Sequence, residues 1–179
     1  IRVFGPPPSS GTRDAFVELV MEEGCQEFDA IASLSDSDED KMEEVCATMR
    51  EDGAFVEAGE NDSLIVSRLE NDPNALGIFG YSFLDQNSDK VKSIAVEGVK
   101  ATFDTIADGS YSVSRPLFFY VKKAHVGVIP GIEEYLAEFT SRRAVGANGY
   151  LIDRGLIPLS NAEYARMKDG VDNLRNLSL

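Results

Sequence analysis

The chain has 179 residues, 43% hydrophobic and 27% charged, which is one ordinary domain by length with enough apolar material for a core. Its formal charge of −14 leaves no basic stripe for nucleic acid and repels acidic membrane surfaces, and no apolar run approaches the ~18 residues of a membrane span. One histidine (His125) and two cysteines without CxxC spacing supply too few ligands for a zinc site. Cys25 and Cys46 read as either a disulfide or two buried thiols. A small anion is not excluded by the net charge, because local donors decide its binding and distant charges are screened over ~8–10 Å in salt.

The chain opens on Ile1-Arg2-Val3-Phe4, without a Met, a basic region or an apolar leader. It reads as a protein whose leader is removed or as one begun part-way, the second being favoured. A strand over residues 1–5 runs into Pro6-Pro7-Pro8, which ends any ladder. A helix is expected from Thr12, with Ser10 or Gly11 as N-cap, Phe16, Leu19, Val20 and Glu23 on one face, and Gly24 as its stop. A second helix follows a capping box of Ser37 and Asp40, with Met42, Val45, Cys46 and Met49 as its apolar stripe and Gly53 as its end. The acidic run Asp36–Asp40 is not a calcium loop, since Lys41 stands at the turn-glycine position and Ala47 at the bidentate-glutamate position.

Next come a strand over 54–57, a helix over 63–70, a turn at Asp72-Pro73-Asn74, a strand over 75–79 and a short helix over 81–86. Residues 91–96 suggest another strand and 102–107 a helix. The apolar, aromatic run Leu117–Val121 predicts a buried strand. Helices are expected over 132–140, over part of 142–150, and over 162–174 behind Ser160 and Glu163. Alternating strands and helices give an α/β fold with a mixed sheet flanked by helices.

The corner Ser9-Ser10-Gly11-Thr12 carries the most chemistry. A strand end meets a helix start there, so backbone N–H groups without intrahelical partners, the helix dipole and three hydroxyls coincide, and Gly11 permits close approach. Such a set suits a tetrahedral oxyanion, the plainer alternative being simple N-capping. The corner lacks GK[ST], so it is not a nucleotide-hydrolysing phosphate loop. Arg13 could add a guanidinium fork or remain a first-turn surface residue. Asn61 and Asp62 open a second helix, where Asp62 could accept from a protonated oxyanion or, more simply, cap its helix. Arg115, before the aromatic run, could face a ligand or form a structural ion pair. His125 has no triad partners, and no catalytic carboxylate pair or metal cluster stands out, so an enzyme is not expected.

Several segments together resemble the phosphate-binding proteins of bacterial ABC-type importers, which are type II periplasmic-binding-protein-like receptors. Gly5-Pro6-Pro7-Pro8-Ser9-Ser10-Gly11-Thr12-Arg13-Asp14-Ala15-Phe16 resembles the family's GPxxxSGTxDxF corner. Glu60-Asn61-Asp62, the run from Asp72 to Tyr81, Asp108-Gly109-Ser110-Tyr111, Ser114-Arg115-Pro116 with the aromatic run, and Gly155-Leu156-Ile157-Pro158-Leu159 follow in the family's order. The resemblance implies a two-lobed receptor that closes on inorganic phosphate and delivers it to a membrane permease, without a cofactor, metal or membrane insertion of its own. It places Ser10, Gly11 and Thr12 as the phosphate grip, with Ser9, Arg13, Asn61, Asp62 and Arg115 as further candidates. It also implies an incomplete two-lobe architecture, with residues 1–113 forming the main part of the second lobe. Residues 114–179 would form the returning hinge strand and C-terminal helices of the first. The implied periplasmic location favours a Cys25–Cys46 disulfide. Many relatives carry Arg and Asp four and two residues before the motif's serine; Pro6 and Pro8 stand there instead, leaving Arg13 or Arg115 to supply the cation. The competing reading is an enzyme or binding protein acting on another oxyanion or a phosphorylated metabolite.

Overall fold

A computed structural model of the chain describes residues 1–34 and 37–176. It divides into two compact units, Ile1–Ala101 with Tyr111–Arg115, and Thr102–Ser110 with Pro116–Leu179.

The first unit is built on a parallel sheet. Strand β1 (Val3–Gly5) ends at the prolines and is followed by α1 (Gly11–Phe16), which runs without a break through a π-helical segment, Val17–Glu22, into α2 (Glu23–Gln26). The expected stop at Gly24 is not used: this glycine lies inside α2, where no left-handed backbone is required. After α3 (Asp29–Ala32), helix α4 (Glu39–Ala47) is capped by Asp38, which accepts from the Lys41 amide at 3.2 Å. Ser37 is therefore not the cap, and the calcium-loop run begins at Asp36, outside the described residues. Helix α4 also stops well short of Gly53, because Thr48 has turned to extended backbone.

Strand β2 (Phe55–Glu57), helix α5 (Asp62–Asn71), strand β3 (Leu76–Gly77) and helix α6 (Tyr81–Gln86) complete the layer. The strand order is β2-β1-β3, with Val3 opposite Phe55 and Leu76, and Phe4 opposite Val56 and Gly77. Parallel neighbours need crossovers, and the helices supply them while covering the sheet. Phe4, Ala58 and Ile65 form the core, with Val56, Leu69, Ala75 and Phe79 against them. Gly77 is required by close approach, since a Cβ there would lie 2.7 Å from Leu69 Cδ1 and 3.0 Å from Ile65 Cγ2. The residues expected to form a strand over 91–96 contribute only β4 (Ala95–Val96), in an antiparallel hairpin with β5 (Val99–Lys100).

The second unit holds α7 (Phe103–Ala107), α8 (Ile132–Phe139), α9 (Arg142–Val145) and α10 (Asn161–Asp172). Ser160 and Glu163 form the expected capping box on α10. The buried Tyr164 hydroxyl donates to the Thr140 carbonyl at 2.9 Å, joining α10 to the end of α8. Leu117–Val121 is not a strand: it has no ladder partner among the described residues, and Leu117 is 84% exposed. Aromatic, β-prone sequence makes a strand only when a neighbouring edge accepts it.

Candidate oxyanion-binding corner

The carboxyl ends of three parallel strands point to one edge of the first unit, and a helix begins just beyond each of them. In parallel α/β sheets this edge is where ligands bind. From β1 the chain passes Pro6–Ser10 into α1, from β2 it passes Ala58–Asn61 into α5, and from β3 it passes Ile78–Gly80 into α6.

Ser10 caps α1 from extended backbone, its hydroxyl accepting from the Thr12 amide at 3.3 Å. Among the described residues, neither the Gly11 amide nor the Thr12 hydroxyl has a hydrogen-bond partner. Gly11 is exposed and Thr12 half-buried. Two donors thus stay open at a helix start, where the dipole adds positive potential.

Arg115 and Arg13 have different surroundings. Arg115 donates from Nη2 to the Gly11 carbonyl at 2.7 Å, which holds an exposed guanidinium beside the open donors. Arg13 turns the other way, donating to the Pro6 carbonyl at 3.3 Å, lying over the Phe55 ring at 4.7 Å and approaching Glu57 at 4.0 Å. Its side chain is only 12% exposed. A guanidinium committed in that way braces β1 against β2.

Asn61 caps α5, accepting from the Ser63 amide at 3.0 Å. The simpler reading of Asp62 as a cap is therefore corrected: Asp62 is the first residue of the helix. Its Oδ2 accepts from the Gly80 amide at 3.2 Å, tying the start of α5 to the start of α6. Partial burial pushes this carboxyl above the usual aspartate range, and the Gly80 bond opposes that shift.

Sequence reasoning missed Glu60. The Ser9 hydroxyl donates to Glu60 Oε1 at 2.5 Å, which brings a carboxylate to the edge of the corner. Its signal lies in the register: Gly5 faces Glu57, so the residues three and four places beyond each strand end meet.

The disulfide Cys25–Cys46 joins α2 to α4, with Cα atoms 5.7 Å apart. The helical run that starts at this corner is therefore covalently anchored at its far end.

A family model described as a PBP superfamily domain matches residues 1–143. The chain belongs to the PBP superfamily. Among curated relatives, the phosphate-binding protein PstS of Staphylococcus saprophyticus is 26% identical over 97% of this chain and 46% of its own length. PstS of Staphylococcus haemolyticus is 34% identical over 69% of this chain and 32% of its own. The crystal structure of a possible phosphate binding protein from Planctomyces limnophilus superimposes with a TM-score of 0.58 at 22% identity. That match covers 98% of this chain and 54% of the other, and it establishes the PBP-like α/β fold. The chain spans about half the length, or less, of these relatives.

Proposed function

We propose that this chain is the anion-gripping part of a solute-binding receptor for inorganic phosphate in an ABC import system. The observation that carries the reading is the open Gly11 amide and Thr12 hydroxyl at the start of α1, with the Arg115 guanidinium held beside them. The PstS names of the relatives support the choice of phosphate. In this reading Ser10, Gly11 and Thr12 supply neutral donors and Arg115 the cation. Ser9 positions Glu60 at the rim, and Asn61 and Asp62 hold the second helix start in place. Arg13, retained by the sequence as a candidate ligand, serves the corner from behind by fixing the Pro6 carbonyl.

Residues 1–113 form most of one lobe, and residues 114–179 supply the returning hinge segment and C-terminal helices of the other. The receptor works in the periplasm, passes phosphate to a membrane permease and performs no chemistry on it. Among the described residues no helix is long and apolar enough to cross a membrane.

Calorimetry with phosphate and sulfate tests the reading. The 179-residue chain should bind phosphate only at millimolar concentrations, because donors from the rest of the cleft are lacking, and a version extended to the relatives' full length should bind it tightly and prefer it to sulfate. Equal affinity of the extended protein for both anions contradicts the assignment.

A further inference from the structure

The negative charge of the chain is concentrated in one stretch of the first unit. Residues 14–52 hold fourteen carboxylates against two cations, Lys41 and Arg50, and so carry −12 of the formal −14. Arg50 is itself paired with Asp52. The Cys25–Cys46 disulfide lies within this stretch. A cleft of about 150 Å³ beside it is lined by Glu22, Gln26, Glu39, Met42, Glu43 and Cys46. Helical spacing assembles the set: Glu39, Met42, Glu43 and Cys46 stand at i, i+3, i+4 and i+7 on α4, one above the other. On the facing helical run Glu22 stands three residues before Cys25, as Glu43 does before Cys46. None of the three glutamates has an ion-pair partner among the described residues.

Thiol–disulfide exchange is sensitive to such a field, because the attacking species is an anion. A thiolate sulfur bonds to one sulfur of the disulfide, and the other leaves as a cysteine thiolate. Cys46 is 4% exposed and Cys25 half-buried, so Cys25 is the more accessible end and Cys46 the leaving group. A second thiolate then attacks the reductant's sulfur in the mixed disulfide and frees Cys25. Two external thiols are oxidised to their disulfide, and the two cysteine thiolates take protons from solvent. Each entering thiolate meets the three carboxylates of the cleft and the charge of the stretch around it.

We propose that the Cys25–Cys46 bond is a charge-gated redox site, closed to anionic thiols and open to thiols that carry a compensating positive charge. The gate acts on the approach of the reductant, involves no phosphate, and is independent of the receptor reading.

Reduction of the folded chain by 2-aminoethanethiol, 2-mercaptoethanol and mercaptoacetate tests it. These thiolates carry net charges of about 0, −1 and −2. Each rate, taken per thiolate and divided by that of the same thiol on the uncharged bis(2-hydroxyethyl) disulfide, removes differences in nucleophilicity. In about 10 mM salt the corrected rates should fall by about threefold to tenfold for each added negative charge. In about 1 M salt, where screening acts over about 3 Å, they should converge to within about twofold. Glu22→Gln with Glu39→Gln and Glu43→Gln should reduce the low-salt spread at least about threefold. The salt series on the unaltered chain needs no variant. Corrected rates that are equal in low salt overturn the proposal, as does a spread that survives high salt or the triple substitution. Rates independent of thiol concentration overturn it too, since opening of the chain and not approach would then control the reaction.

Discussion

The Arg115 guanidinium donates to the Gly11 carbonyl at 2.7 Å across 104 residues of sequence. This one bond fixes a cation at the start of α1, in a chain whose Pro6 and Pro8 bring no charged side chain to the turn before it. It also separates the two arginines that the sequence left as equal candidates.

Arg115→Ala should therefore weaken phosphate binding about 10- to 100-fold, the loss of one charge-assisted contact worth about 1.5–3 kcal/mol. Its urea unfolding midpoint should stay nearly unchanged. Arg13→Ala should do the reverse, lowering stability by about 1–2 kcal/mol through the lost stacking on Phe55 and the lost bond to Pro6. Calorimetry and urea titration on the two variants distinguish these roles.

Glu60 places a negative charge at the rim through its bond from Ser9. Glu60→Gln keeps an acceptor for that hydroxyl and removes the repulsion. Sulfate, which carries no proton at neutral pH, should gain more affinity than phosphate, by about twofold to tenfold, as a partly screened surface charge allows. Paired titrations with the two anions measure the ratio, and an unchanged ratio removes Glu60 from the site.

Much of the corner was legible because its causes are local. Three prolines end β1, Ser10 caps the next helix, and Gly11 keeps the approach open, all within a few residues. Glu60 was not legible, since its meeting with Ser9 depends on the register of β1 against β2, which sequence periodicity does not encode. The run Leu117–Val121 misled for a related reason: its composition is that of a buried strand, but burial and pairing need a distant partner. Gly24 misled in the opposite direction, as a glycine marks a helix end only where a positive φ is required. The alternation of strand and helix from β2 to α6 was readable, because the hydrophobic period changes at each element.

The Cys25–Cys46 disulfide should stabilise the chain by about 3 kcal/mol on the chain-entropy account of a loop of this length. Cys25→Ser with Cys46→Ser, or reduction, should lower the urea midpoint accordingly. Intact mass before and after reductant with thiol alkylation checks the bond itself; two alkylated thiols in the untreated protein contradict it.

Asp62 gives a pH signature. Its folded-state pKa is raised by burial, so between the unfolded and folded values the native state holds more protons than the unfolded chain. Its contribution to stability is present below the unfolded pKa and is lost as pH rises through the folded value. Relative to Asp62→Asn, which does not titrate, the natural protein should gain stability as pH falls through the carboxylate range. The change should be under about 1 kcal/mol, because the group is partly exposed. Thermal unfolding of both proteins across that range measures the difference, and a constant gap contradicts the assignment.

The most direct test of the phosphate grip is an amide-resolved NMR titration of the chain with inorganic phosphate. The account predicts that the largest shifts fall on the Gly11 and Thr12 amides, saturate at millimolar phosphate and are strongly reduced by Arg115→Ala. Saturable shifts that leave Gly11 and Thr12 unmoved, or no shifts at all at these concentrations, would contradict it.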